Sequence, residues 1–198
     1  MRLSMFGGSF DPIHNGHTAL AHAFVKKLEL DKVFIIPAFI PPHKQKHSNV
    51  TPEQKLDMCR LAFDGDDMFQ VSDIEIKRQG ASYTYMTLEE LSAIYPHDEF
   101  FLITGADMFM TIHHWRNPEI IFRLATVCGV PRNNDDISDL EKQAEFLHSI
   151  GAKTEILDAG IMTVSSTDVR TRIKNGESIH GLVPEPVEQY IKENKLYL

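Results

Sequence analysis

The sequence predicts an α/β protein: a doubly wound parallel sheet with helices on both of its faces. Two observations carry that expectation. Continuous apolar runs rich in Val, Ile and Phe alternate with stretches whose apolar residues recur at helical spacing. No Gly/Ser linker, repeat or low-complexity tract breaks the alternation across 198 residues, a length that suits one domain with a sizeable core. Residues 1–198 are therefore expected to form a single unit.

The elements follow in order. Residues 2–6 predict a first strand, and residues 18–28 a helix with Leu20, Ala23, Phe24 and Leu28 on one face. Val33, Phe34, Ile35 and Ile36, closed by Pro37, predict the second strand. Residues 52–63 predict a helix with Thr51 as N-cap and Pro52 in its first turn. Residues 69–76, alternating through Val71, Ile74 and Ile76, read as one irregular strand or two. Helical spacing returns over 84–94, strands are expected at 99–104, 125–130 and 154–157, and helices at 138–150, 167–174 and 186–195.

Composition narrows the function. With 20 Lys+Arg against 28 Asp+Glu the formal charge is −8, which argues against nucleic acid as a partner, because affinity for its backbone comes from clustered Lys and Arg. Small phosphate ligands need only local positive charge. Cys59 and Cys128 lie far apart without a C-x-x-C, which argues against a disulfide framework or a Cys-rich zinc site and fits a reducing cytoplasm. No apolar run approaches the roughly 20 residues needed to span a bilayer, and the first residues read as a strand rather than a secretory leader. A cytoplasmic protein without membrane contact is expected, and a homo-oligomer is left open.

In an open α/β sheet, ligands sit beyond the carboxyl ends of the strands, so the loops after strands are where chemistry is sought. The first such loop reads Gly7-Gly8-Ser9-Phe10-Asp11-Pro12-Ile13-His14-Asn15-Gly16-His17. Glycines admit close backbone approach, and a helix start offers N–H groups and a positive dipole end to phosphate. His14 and His17 are three residues apart, close enough to converge on one ligand oxygen, and Gly16 leaves room between them. Neither common phosphate loop, G-x-x-x-x-G-K-[ST] or G-x-G-x-x-G, is present. A second anion seat is expected where residues 165–167 start a helix and Arg170 follows on the same face. Arg172 and Lys174 read as solvated helix charges. Lys44, in a basic loop, is the expected mobile cation for several phosphates. Asp107, after a strand and Gly105, could accept ribose hydroxyl protons. His113 and His114 are adjacent and diverge on a helix, so no metal site is assigned to them.

The His14-Asn15-Gly16-His17 segment with its glycine-rich lead resembles the H-x-G-H signature of the nucleotidylyltransferase superfamily. More closely, the chain resembles the bacterial nicotinate-nucleotide adenylyltransferases over essentially its whole length. The ordered segments are Pro41-Pro42-His43-Lys44, Ser82-Tyr83-Thr84, Gly105-Ala106-Asp107, Trp115, Val164-Ser165-Ser166-Thr167 with Arg170, and Leu182-Val183-Pro184-Glu185-Pro186. The resemblance implies a Rossmann-like fold of nucleotidylyltransferase type, with the helical portion from about residue 160 to 198 completing the phosphate site. It implies transfer of AMP from ATP to nicotinate mononucleotide, with Mg²⁺ carried on the phosphates. His14, His17, Lys44 and Arg170 are then the catalytic residues. Gly7, Gly8, Ser9, Phe10, Gly16, Arg132, Ser165, Ser166 and Thr167 are expected around ATP. Thr84, Gly105, Asp107, Trp115 and Arg116 are expected around the mononucleotide, with the pyridine ring near Trp115 and its carboxylate near Thr84.

Two positions depart from the family pattern. Arg116 stands where an aromatic residue usually follows the Trp, and it is expected to face solvent. Pro131-Arg132-Asn133-Asn134 stands where a basic pair and Pro-Gly are usual. The attacking group would be a phosphate oxygen already ionised at neutral pH, so no general base is required, and catalysis reduces to positioning and charge neutralisation. Three alternatives remain beside this reading: an adenylyltransferase acting on nicotinamide mononucleotide or phosphopantetheine, a nucleotide-binding regulator without turnover, and a relative of class I aminoacyl-tRNA synthetases. Against the last stand the acidic charge of this sequence and the absence from it of a K-M-S-K-S segment and an expected anticodon domain.

Overall fold

The computed structural model describes residues 1–42, 49–131, 136–157 and 164–198. Six parallel strands form one sheet in the order β3-β2-β1-β4-β5-β6. They are β1 (Arg2–Gly8), β2 (Lys32–Pro37), β3 (Phe69–Val71), β4 (Glu99–Gly105), β5 (Ala125–Val130) and β6 (Lys153–Ile156). The helices are α1 (Asn15–Leu28), α2 (Pro52–Ala62), α3 (Ile74–Arg78), α4 (Thr84–Ile94), α5 (Ala106–Thr111), α6 (Pro118–Leu124), α7 (Ile137–Ser149), α8 (Ser166–Lys174) and α9 (Glu185–Glu193). This is the doubly wound Rossmann-like arrangement, in which strand order reverses between β1 and β4.

The strands alternate their side chains between two cores. Phe6, Val33, Ile35, Phe101, Ile103 and Cys128 join the cluster that also holds Leu20 and Phe24 of α1, Val169 of α8 and Val187 of α9. Leu3, Met5, Phe34, Ile36, Leu102 and Val127 join Leu88 of α4, Phe109 of α5, Ile121 of α6 and Leu140 of α7. A strand buried on both faces needs apolar residues at every position, which is why these strands read as continuous runs. Gly129 on β5 is required by packing, because a Cβ there would lie 2.6 Å from the Phe109 ring. Thr51 caps α2 as expected, its hydroxyl accepting the Gln54 N–H at 3.2 Å.

One sequence expectation is overturned. Residues 69–76 do not continue as strand: β3 stops at Val71, and α3 begins at Ile74. The residue that α3 buries is neither Ile74 nor Ile76 but Glu75, so apolar alternation misreads the segment. Lys77 pairs with Asp73 across one helical turn at 3.1 Å, and Gln79 and Gly80, both at positive φ, end the helix. The short α5 and α6, six and seven residues long, carry too little periodicity to be read from sequence. No helix among the described residues is long and apolar enough to cross a membrane.

Candidate active site

The reversal of strand order places the carboxyl ends of β1 and β4 beside each other, and a cleft of about 280 Å³ opens there. Its walls come from the β1–α1 loop, the segment leading into α4 and the stretch from the end of β4 to Arg116, joined by Ala38, Pro41 and Pro42 after β2, Glu75 of α3 and Ser166 of α8. Ligand binding at a topological switch point is the general rule for this architecture.

The β1–α1 loop is held rigidly. Gly8 faces the Phe10 ring so closely that a Cβ would lie 3.0 Å from it. Phe10 takes a left-handed conformation (φ 42°) and is only 2% exposed. Its ring packs edge-on against Phe6 and His17, with centroids 5.4 and 5.1 Å apart. The glycine is therefore needed for close approach, and Phe10 acts as a buttress beneath the histidines. A cis peptide joins Asp11 to Pro12.

His14 is the N-cap residue of α1, and Gly16 is buried in its first turn. The two imidazoles stack, with centroids 3.6 Å apart and planes 21° from parallel. Burial, His14 being 5% exposed, pushes its imidazole down to about 4, so it is neutral near pH 7. Its Nδ1 is buried and has no hydrogen-bond partner among the described residues. The His14 backbone N–H donates to His17 Nδ1 at 3.2 Å. A nitrogen that accepts cannot carry the proton, so Nε2 of His17 does, and His17 lines the cleft as a donor. The α1 start is less open than the sequence suggests: the Asn15 N–H donates to Leu182 O at 2.9 Å, and its side-chain amide donates to Gly181 O at 2.8 Å.

The start of α8 braces this loop. Ser165 caps the helix, accepting the Asp168 N–H at 3.0 Å. Ser166 lines the cleft and donates to Pro12 O at 2.9 Å. Arg170 donates through Nη1 to Asp11 O at 2.7 Å and through Nη2 to Thr167 Oγ1 at 3.1 Å. Tyr197 donates to the Asp11 carboxylate at 2.9 Å, and burial, reinforced by that carboxylate, pushes its hydroxyl pKa upward. Arg172 pairs with Asp168 at 3.4 Å on the helix surface. Lys44 and Arg132 lie outside the described residues.

The other end of the cleft gathers Thr84, Gly105, Trp115 and Arg116. Thr84 begins α4, whose N-cap Tyr83 provides no side-chain cap; the Tyr83 carbonyl accepts the Met86 N–H at 3.1 Å, which leaves the Thr84 and Tyr85 amides without an intrahelical acceptor. Gly105 has an ordinary φ, and a Cβ there would meet nothing within 4 Å; the fold alone does not demand glycine. Trp115 packs partly on the second core and partly lines the cleft. Arg116 is exposed, as expected, yet its guanidinium lies 5.3 Å from the centre of the Tyr83 ring at the rim. Asp107 is exposed in the first turn of α5 and is not among the cleft-lining residues. Thus Gly7, Gly8, Ser9, Phe10, His17, Ser166, Thr84, Gly105, Trp115 and Arg116 share one cleft. His14, Gly16, Ser165, Thr167 and Arg170 stand behind or beside it.

Sequence reasoning missed Glu75, Asn15, Asp11 and Tyr197. Asn15 and Asp11 sit inside the motif but serve contacts more than 160 residues away, and no local signal announces such partners. Among the described residues no group of three His, Cys, Asp or Glu side chains could hold a metal ion.

Comparison with known proteins agrees with this geometry. Residues 5–172 match the cytidylyltransferase-like family. A relative from Geotalea daltonii named "probable nicotinate-nucleotide adenylyltransferase" is 37% identical over 212 residues, covering 100% of this chain and 98% of its own length. One of the same name from Clostridium tetani is 38% identical over 197 residues and covers 98% of each chain. The solved structure of Plasmodium falciparum nicotinic acid mononucleotide adenylyltransferase complexed with NaAD shares the fold, with a TM-score of 0.79 at 17% identity over 99% of this chain and 97% of that one. A glycine–histidine loop at the switch point of a 3-2-1-4-5-6 sheet, matched over its full length by such relatives, places this chain in the cytidylyltransferase-like family, among the nicotinate-nucleotide adenylyltransferases.

Proposed function

We propose that this chain transfers AMP from ATP to nicotinate mononucleotide in the cytoplasm, giving nicotinate adenine dinucleotide (deamido-NAD) and pyrophosphate in NAD biosynthesis. The observation that carries the reading is the single cleft that joins a histidine donor and glycine loop at one end to an uncapped helix start and a tryptophan at the other. Relatives named for this activity at 37–38% identity support it.

In this reading the phosphates of ATP lie along Gly7–Phe10 and Gly16. His17 Nε2–H donates to the α-phosphate, where charge builds during transfer. Neutral His14 supports it by stacking, and it adds no positive charge. Cations must therefore come from elsewhere, which is the role proposed for Lys44, Arg132 and Arg170. A guanidinium has five donors, more than the two described bonds of Arg170 use, so it can hold Asp11 O and a phosphate together. Ser165, Ser166 and Thr167 set the start of α8 against the loop, and the chain beyond about residue 160 thereby completes the phosphate site. Magnesium would arrive with ATP as part of the substrate and would offset phosphate charge, which would require no carboxylate cage from the protein.

The acceptor phosphate is ionised at neutral pH and attacks in line without a base. Trp115 stacks on the pyridine ring, the first amides of α4 at Thr84 receive its carboxylate, and Gly105 admits the nucleotide where a side chain would intrude. Asp107 is assigned to the ribose hydroxyls.

Pyrophosphate release measured with nicotinate mononucleotide, nicotinamide mononucleotide and phosphopantetheine tests the proposal. The acid should exceed the amide by about tenfold to a hundredfold in kcat/KM, because an amide NH₂ aimed at a backbone N–H leaves buried donors unpaired at about 1–3 kcal/mol each. Equal or reversed preference overturns the acceptor. Absence of release with all three acceptors favours a nucleotide-binding regulator.

A further inference from the structure

The cleft wall holds a carboxyl group that adenylyl transfer does not use. Glu75 on α3 is 4% exposed, yet it lines the cleft together with Tyr83, Thr84 and Trp115. Thr87 Oγ1 donates to its Oε1 at 2.7 Å. Arg78 lies 3.9 Å from the same oxygen, but its Nη1 is committed to Glu90 at 2.7 Å and its Nη2 to Thr87 at 2.9 Å. Burial raises the Glu75 pKa, while the hydrogen bonds of Thr87 and Ser82 and the charge of Arg78 oppose that rise. One guanidinium thus faces two carboxylates, and with both ionised the group carries a net charge of about −1.

The proposed acceptor is not simply an anion. Attachment of the ring nitrogen to ribose makes it quaternary, so the pyridinium carries a full positive charge at every pH, while the carboxylate sits elsewhere on the ring. A cleft offering a buried carboxylate, two aromatic faces and a rim guanidinium complements such a zwitterion. Resting on the nicotinate mononucleotide reading, we infer that Glu75 is the counter-charge of the pyridinium ring and selects a cationic ring over a neutral ring of the same outline. Direct contact is not required. At an effective dielectric constant of about 20, opposite charges within about 7 Å change affinity by more than tenfold.

A merely structural Glu75, anchoring Thr87 and no more, would affect all ligands alike. Oxidised and reduced nicotinamide mononucleotide separate the two roles, because they carry the same substituents and differ in ring charge. Their dissociation constants are measured by calorimetry on the wild-type protein and on Glu75→Gln. The wild type should favour the oxidised form by about tenfold or more, and Glu75→Gln should bring the ratio below about threefold while the KM for ATP stays within twofold. Should Glu75→Gln fail to fold, Glu75→Met removes the carboxyl group while the Thr87 hydroxyl stays paired with Arg78 Nη2, and it should lose the same preference. A wild-type ratio near one, or an unchanged ratio in either folded variant, overturns the inference. Failure of the wild type to turn over nicotinate mononucleotide would instead sink the acceptor assignment, and the ring-charge ratio would still be readable from binding alone.

Discussion

The two ends of the cleft are built on opposite plans. The end proposed to hold phosphate is contiguous: eleven residues from Gly7 to His17 supply its glycines, its buttress and both histidines. The end proposed to hold the acceptor is dispersed over α3, the start of α4, the end of β4 and the stretch at Trp115 and Arg116. The difference follows from what each end has to recognise. Phosphate is met by backbone amides and a few donors at a strand-to-helix turn, which a short local segment can provide. A flat charged ring needs a shaped slot, and slots are made where separate elements meet. The contiguous end nevertheless depends on distant chain for its rigidity. Ser166, Arg170, Leu182 and Tyr197 all bond to it from beyond residue 164.

The sharpest way to test the phosphate end is His17→Ala. Losing one donor that strengthens in the transition state should lower kcat by about 10²–10³, or about 2.7–4 kcal/mol, with little change in the KM for ATP. Near-normal turnover would show that the stacked pair is structural.

Next is Arg170→Lys. A lysine keeps the charge but cannot hold both Asp11 O and Thr167 in the guanidinium geometry. The loss of a charged hydrogen bond should lower stability by about 1.5–3 kcal/mol, read as a fall in denaturation midpoint, together with a rise in the KM for ATP. An unchanged ATP dependence would mean that this arginine serves the brace alone.

His14 should make the protein acid-labile. Its folded-state value of about 4 lies below the ordinary value of about 6.5, so protons favour the unfolded chain. Stability is full above about pH 6.5 and falls as the pH drops toward 4. At about 1.4 kcal/mol per pH unit, the loss reaches about 2 kcal/mol by pH 5. His14→Asn, which retains a good N-cap, should flatten the denaturation midpoint between pH 7 and 5 relative to wild type. A parallel pair of pH curves would place the acid sensitivity elsewhere.

The smallest effect is expected at the acceptor rim. An exposed guanidinium over an aromatic ring contributes about 0.5–1 kcal/mol, so Arg116→Ala should change the KM for the mononucleotide by only a few-fold and leave ATP untouched. A collapse of the acid-over-amide preference in that variant would make Arg116, rather than the α4 amides, the source of selectivity.

Legibility in the sequence tracked the range of the interactions. Strand positions were readable because a parallel sheet buried on both faces requires uninterrupted apolar runs, as at Val33–Ile36 and Phe100–Ile103. The Thr51 cap and the Ser165 cap were readable because capping acts over three residues. Residues 69–76 misled because Glu75, the buried residue of α3, is polar and its hydrogen-bond partner, Thr87, belongs to the next helix.

By itself the sequence determined the fold class, the glycine–histidine loop and the order of the motifs, all of which rest on neighbours within a few turns of chain. Tertiary structure alone decided that burial keeps His14 neutral. It also decided that Arg170 grips a carbonyl 159 residues earlier and that a carboxylate lines the acceptor end. Charge state and long-range bracing depend on solvent exclusion and on partners remote in sequence, and those exist only once the sheet and its two helical layers have closed around them.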